Sequence, residues 1–275
     1  MNPFEKVLSA VRQKRPLVHF ITNYVTAANI TLALGGSPIM ADDLREVEQI
    51  VGHCSALVLN MGTLSERTVQ SMLAAGKEAN RLGRPVVFDP VGVGASRFRN
   101  ETAEMLLREV RFDVIKGNSS EIAYLAEGSG TTKGVDANLD ALSTEGNLNR
   151  HADRARKVSA RTGAVIVISG PIDIVADSHE AWAIRNGHPM MAKITGTGCM
   201  SAGIIGCCVG ANPQALLPSC ACAMSVMGVC GELAYERLLP VEGGSGTYRV
   251  FLTDAVSRLD GVTLTRRSRA ERLRI

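Results

Sequence analysis

The sequence has no paired CxxC motif, no zinc-type ligand spacing and no even set of cysteines. Its seven cysteines stand at 54, 199, 207, 208, 220, 222 and 230, six of them crowded into one apolar stretch. A disulfide framework and a structural zinc site are therefore not expected, and a reducing cytoplasm fits best. No GxxxxGK[ST] occurs, which excludes a P-loop, and no GxGxxG follows the first strand, which argues against a dinucleotide-dependent oxidoreductase. Residues 1–15 carry scattered charges and no apolar run, so no signal peptide is expected. No internal repeat is evident, and aromatic residues make up only 4% of the chain.

Charge is scarce in two informative ways. The last ten residues hold five Arg and one Glu, contributing +4, so residues 1–265 carry −1 of the total +3. A near-neutral body gives no footprint for nucleic acid, and the tail, 266–275, reads as a frayed, solvated terminus rather than a tether. From Ile194 to Gly231 there is no Asp, Glu, Lys or Arg. Gly210-Ala211-Asn212-Pro213 and Pro218 interrupt that stretch, so two buried helices joined by a turn are expected there, not a membrane span.

An apolar fraction of 45% with 27 glycines suits a core of small aliphatic side chains built from strands and tightly packed helices. Runs at 17–22, 56–60, 85–89, 114–115 and 164–169 are apolar without alternation, as expected of parallel strands covered on both faces. A hairpin is expected from 172–176 and 181–184. Helical periodicity occupies 65–82, 101–110, 119–126, 148–162 and 248–259, besides the two apolar helices. Strand alternating with helix predicts an α/β fold, a doubly wound, mostly parallel sheet with helices on both faces, forming one domain over 1–265. Residues 128–149 are polar and aperiodic, a surface loop.

Ligands in such sheets bind beyond the carboxyl ends of the strands. Thr195-Gly196-Thr197-Gly198-Cys199 opens an apolar helix there. It is either an anion site made of backbone N–H groups and the helix dipole, or a glycine turn that lets the helix pack closely. Cys199 at the helix start is either a thiol of depressed pKa able to accept a proton, or an ordinary buried cysteine. Asp89, directly after a strand, is either a magnesium carboxylate or a turn aspartate. Asn118 and Glu121 form a capping-box pattern. Alternatively, Lys116 reaches phosphates and Glu121 the water shell of a metal. His19 and Met40, taken alone, read as core residues.

Taken together, these segments resemble the hydroxyethylthiazole kinases of the ribokinase-like superfamily. The resemblance runs through Pro16–Thr26, Gly35–Ala41, Asn60–Leu64, Asp89–Ala95, Lys116–Asn118, Thr195–Cys199 and Gly246–Val250, in that order. It implies transfer of the ATP γ-phosphate to the hydroxyethyl group of 4-methyl-5-(2-hydroxyethyl)thiazole in thiamine salvage, by a homotrimer with active sites between subunits. It further implies that Met40, Gly196, Asn23 and Gly62 contact the thiazole, that Lys116, Ser169 and Asn118 contact ATP, and that Asp89 and Glu121 serve Mg²⁺. Cys199, with Gly196 and Gly198, would carry the catalytic step. Cys199 stands where the superfamily usually has Asp, which is characteristic of the thiazole kinases. Lys116 stands where members often carry Arg, keeping the charge but not the bidentate fork. The competing readings are another ribokinase-like alcohol kinase, such as a hydroxymethylpyrimidine kinase, and a non-catalytic thiazole- or thiamine-binding protein.

Overall fold

Apolar runs of four or five residues, too short for helices, pair side by side in the computed structural model, which describes residues 2–21, 25–127 and 142–273. They form β1 (Leu17–Ile21), β2 (Ser37–Met40), β3 (Ala56–Asn60), β4 (Val86–Asp89), β5 (Val114–Asn118) and β6 (Val165–Ser169). These six strands are parallel, in the order β2-β1-β3-β4-β5-β6. The sheet then turns antiparallel through the expected hairpin, β7 (Asp173–Ala176) and β8 (Ala181–Ile184).

Side chains alternate across the sheet and sort into two apolar layers. Val18, Val58, Val87, Val114 and Val167 face one layer, with α1 (Pro3–Lys14), α2 (Val25–Leu34), α8 (Thr197–Ala211), α9 (Leu216–Leu238) and α10 (Ser245–Arg258). Leu57, Leu59, Phe88, Ile115 and Ile166 face the other, with α3 (Val47–His53), α4 (Glu66–Arg81), α5 (Arg97–Glu109), α6 (Ser119–Glu127) and α7 (Leu148–Thr162). Burial on both faces explains why no strand alternates in sequence. The doubly wound α/β architecture expected from the sequence is the one observed.

The segment without charge is the expected helix pair. Leu216–Val241 is long and apolar enough to cross a bilayer, but 78% of its apolar window is buried inside the protein. It packs against α1, α8 and α10.

Several elements were not expected. α1, α2, α3 and β2 fill the first 53 residues, and α11 (Gly261–Arg267) lies near the other end. The tail also differs from a frayed terminus, since Ala270–Arg272 form β9, antiparallel to β8. Two of its arginines are held: Arg269 bonds Glu232 at 2.6 Å, and Arg272 lies 5.0 Å over the Trp182 ring. The open edge of β8, with unpaired backbone groups to satisfy, captures the segment despite its charge. Of the loop expected at 128–149, residues 128–141 lie outside the described residues, and 145–147 form one 3-10 turn before α7.

Candidate active site

Strand parity builds the site. Asn60, Asp89, Lys116 and Ser169 lie two residues beyond Val58, Val87, Val114 and Val167, and so share the sheet face that α8 covers. All four stand at or near the carboxyl ends of adjacent parallel strands. The register places Asn60 beside Asp89. The Asn60 Nδ2 donates to Asp89 Oδ2 at 2.6 Å and to Cys199 Sγ at 3.2 Å, tying β3, β4 and α8 together at one point. Lys116 Nζ is 3.7 Å from Asp89 Oδ1, an ion pair just beyond hydrogen-bond length, with both residues buried. Asp89 Oδ1 itself is buried and has no hydrogen-bond partner.

The glycine turn brings α8 to this cluster. Gly196 is the helix N-cap and takes φ +89°, a left-handed conformation that favours glycine. The first-turn N–H groups that follow have no acceptor within the helix. At Gly198 an added Cβ would lie 3.0 Å from Lys116 Nζ, so the ammonium sits against the helix N-terminus. Two positive potentials, one from the dipole and one from Lys116, meet at Gly198.

These groups shift one another. Burial pushes the Asp89 carboxyl up to about 6; Lys116 and the Asn60 amide oppose this, and the Glu121 charge adds to it. Burial works against the Lys116 charge, but Asp89 and Glu121, then Cys199 and Asp173, outweigh it, and its pKa is raised. The expected depressed thiol is not found. Burial, reinforced by the Asp89 carboxylate, raises Cys199 to about 11 against the influence of Asn60 and Lys116.

Asn118 and Glu121 make the capping pair. Asn118 Oδ1 accepts from the Glu121 N–H at 2.9 Å, and Glu121 Oε2 accepts from the Asn118 N–H at 2.7 Å. The other Glu121 oxygen accepts from the Gly92 N–H at 2.8 Å, fixing the loop that follows Asp89. Asn118 is exposed, whereas Glu121 is buried. Ser169 Oγ lies 3.4 Å from the Gly117 carbonyl, at the rim of a cavity of about 600 Å³. Asp173, Thr197, Gly198 and Ser201 line that cavity together with Met191, Met224 and Met227.

The remaining expected residues lie toward the other edge of the sheet. Met40 ends edge strand β2, three strands from Asp89 or about 14 Å across the sheet, and is 40% exposed instead of buried as core. Gly62 follows β3, and its N–H donates to Asn60 Oδ1 at 2.8 Å. Asn23 lies outside the described residues. His19 is a core histidine, with Nε2 2.7 Å from the Ala41 carbonyl oxygen. Two residues of the cluster were not singled out in the sequence. Asn60 is legible only through strand register. Asp173, buried with Oδ1 accepting from the Gly170 N–H at 2.9 Å, is pushed up to about 7 by its burial.

Asp89, buried at the end of β4, is a candidate oxygen ligand for magnesium. Its orphaned Oδ1 fits that role. Among the described residues no group of three or more His, Cys, Asp or Glu could hold a metal by itself. That donor set suits a cation that retains much of its water and borrows phosphate oxygens.

The chain is similar to known proteins over its whole length. A hydroxyethylthiazole kinase of Desulfovibrio desulfuricans is 53% identical, over 100% of each chain. The solved structure of the hydroxyethylthiazole kinase protein of Pyrococcus horikoshii superposes with a TM-score of 0.86 at 31% identity, again covering 100% of both. A ribokinase-like superfamily protein of Enterococcus faecalis shares the fold, with a TM-score of 0.58 at 13% identity over 90% of this chain and 89% of that one. The sequence profile of the hydroxyethylthiazole kinase family matches residues 8–261, which takes in each strand end and the α8 turn that form the cluster, and the chain belongs to that family.

Proposed function

We propose that this protein transfers the γ-phosphoryl group of ATP to the hydroxyethyl oxygen of 4-methyl-5-(2-hydroxyethyl)thiazole, a thiamine-salvage step. The observation that carries the reading is the meeting of Lys116, Asp89, Asn60 and Cys199 at the N-terminus of α8, whose Thr197 and Gly198 also line a cavity with both polar and apolar walls. Phosphoryl transfer needs positioning and charge neutralisation more than covalent chemistry from the protein. The Lys116 ammonium and the amides of Gly196 to Cys199 supply that neutralisation where the transferred group would sit. Ser169 lines the cavity and Asn118 is its register partner on β5, while Met191, Met224 and Met227 offer a flat base an apolar wall.

Magnesium, when bound, would supply positive charge to offset that of the phosphates. Asp89 would hold it through Oδ1, with Glu121 acting on its water shell. Cys199 serves as a neutral thiol that packs against the acceptor alcohol and keeps Asn60 aimed. With its pKa near 11 it is a poor base, and the alcohol proton leaves late in a loose transition state, to an oxygen of the transferred phosphoryl group as the O–P bond forms and the bond to ADP breaks.

Met40, Gly62, Gly196 and Asn23 form the thiazole side. Met40, Leu44, Val25 and Leu32 are all exposed apolar side chains around the β2 edge, and the last two share one face of α2. Burial of that surface by a neighbouring copy, in a homotrimer, would complete the alcohol pocket. Seven free, buried cysteines accord with a reducing cytoplasm.

An ADP-release assay over thiazole, pyrimidine and sugar alcohols tests the assignment. Turnover is expected with the hydroxyethylthiazole above the other acceptors; turnover confined to a pyrimidine or sugar alcohol would overturn it. Sedimentation at assay concentration tests the trimer.

A further inference from the structure

β3 and β4 end at Asn60 and Asp89, and one backbone bond past the end of β3, from the Met61 N–H to the Asp89 carbonyl at 3.0 Å, closes the ladder. Beyond it, one side chain joins the two loops. Arg99, in the first turn of α5, donates through Nη1 to the Met61 carbonyl and to the Val91 carbonyl at 2.6 Å, and through Nη2 to the Gly62 carbonyl at 3.2 Å. A single guanidinium thus spans both loops. Among the described residues no carboxylate lies within ion-pair distance of it.

Three features favour a functional role over general packing. A cation in the first turn opposes the helix dipole, so local propensity does not select arginine there. The loop after β4 is shaped around the side chain. Gly92 takes φ +73°, and a Cβ there would lie 3.2 Å from Arg99 Cδ. The neighbouring Asn100 then accepts from the Gly94 N–H at 2.7 Å, so the first turn of α5 holds the loop at two places.

Each carbonyl held by Arg99 is one step from the cluster. The Gly62 peptide whose oxygen it binds follows the N–H that orients Asn60 Oδ1, and Asn60 Nδ2 in turn reaches Asp89 and Cys199. The Val91 carbonyl adjoins the Gly92 N–H that seats Glu121. Without the guanidinium, each loop keeps its strand but loses its alignment with the other.

We propose that Arg99 is a positioning residue for phosphoryl transfer, holding the loops after β3 and β4 in the register that aims Asn60 and Glu121 at the Asp89 centre. This rests on the reading of Asp89, Asn60 and Cys199 as the reaction centre. Lysine cannot replace it, since one ammonium lacks the planar fork that reaches two loops.

The test compares Arg99→Lys and Arg99→Ala with the parent in steady-state ADP release, with folding checked by circular dichroism and thermal melts. Both variants are expected to lose roughly 10–100-fold in kcat, the scale of misplacement near 1 Å. KM for ATP should stay within about threefold, because Arg99 touches no wall of the cavity. Guanidinium chloride at tens of millimolar should restore part of the Arg99→Ala turnover, and methylammonium should not. Folded variants with parental kcat would overturn the proposal, as would a loss that follows only the melting temperature and is not rescued. Asp89→Asn is the control. If it is inactive while the Arg99 variants turn over normally, this inference fails alone; if it is active, the reaction centre itself is wrongly placed.

Discussion

Replacing Asp173 by asparagine removes a buried charge while keeping the oxygen that accepts the Gly170 N–H. The carboxyl is 8% exposed and faces Lys116 only at longer range, so its burial dominates and lifts its pKa from 3.8 to about 7. A folded-state value above the unfolded one contributes stability that is present in full below pH 3.8. That contribution is lost as the pH climbs to about 7. At pH 5 the folded protein still holds the proton, and about 1.5 kcal/mol of the loss has accrued. By pH 8 the loss is complete, at roughly 4 kcal/mol.

Asparagine does not titrate, so every other group cancels in the comparison of the two proteins. The stability of Asp173→Asn relative to the parent should therefore rise by about 2.5 kcal/mol between pH 5 and pH 8. For a chain of 275 residues that corresponds to about 5 °C in Tm. Differential scanning calorimetry of both proteins at the two pH values reads it directly. A Tm difference that is the same at pH 5 and pH 8 would refute the reasoning, because it would mean that Asp173 keeps an ordinary pKa in the fold.

Cys199→Ala is expected to lower kcat by less than about 10²-fold, since a thiol raised to about 11 contributes little as a base. ADP release at saturating substrates checks this, and a loss near 10⁴-fold would restore the thiolate. With Asp89 at about 6, turnover at fixed magnesium should fall as the pH drops through that value, because the protonated carboxyl cannot hold the cation. Raising magnesium should move that limb to lower pH, and an unmoved limb would take Asp89 out of the metal's reach. In Gly206→Ala a Cβ would stand 2.8 Å from Val58 Cγ2 and 3.0 Å from Val18 Cγ1, pushing α8 off β1 and β3. A stability loss of about 1–3 kcal/mol in urea unfolding is expected, accompanied by a fall in kcat as Gly198 withdraws from Lys116.

Much of the fold was legible because parallel strands announce themselves as apolar runs between helical periods. The elements that escaped did so for different reasons. α1 has a plain stripe of Phe4, Val7, Leu8 and Val11 behind an Asn2 cap, so its signal was present but overlooked among the charges. β2 contains Pro38, which a strand at the sheet edge tolerates and a central one does not. β9 carries Glu271 and Arg272 and is fixed by the backbone of β8, so no side-chain pattern records it. At the site, the rule that ligands gather beyond the carboxyl ends found Asp89, Lys116 and Ser169. It was silent on Asn60, which in sequence is one more polar residue before a turn. For Cys199 both the helix dipole and burial were legible but not their balance, and burial wins and sets the sign of the shift.

The site depends on a register that apolar side chains enforce. Asn60 meets Asp89 because Leu57 pairs with Val86 and Leu59 with Phe88 along β3 and β4. A slip of one residue would bring Leu59 opposite Asp89 and swing Asn60 away from both the carboxylate and Cys199. It would also move Leu57 and Leu59 out of the layer under α4 and drive Val58 into it. Those three side chains are fully or nearly fully buried, so the slip would trade well-packed contacts on both faces for mismatched ones. The residues that say least about chemistry in the sequence, a run of Val and Leu in each strand, are therefore what hold the reacting groups within hydrogen-bond reach. Arg99 extends that control past the last ladder bond, into the two loops the apolar pattern cannot reach.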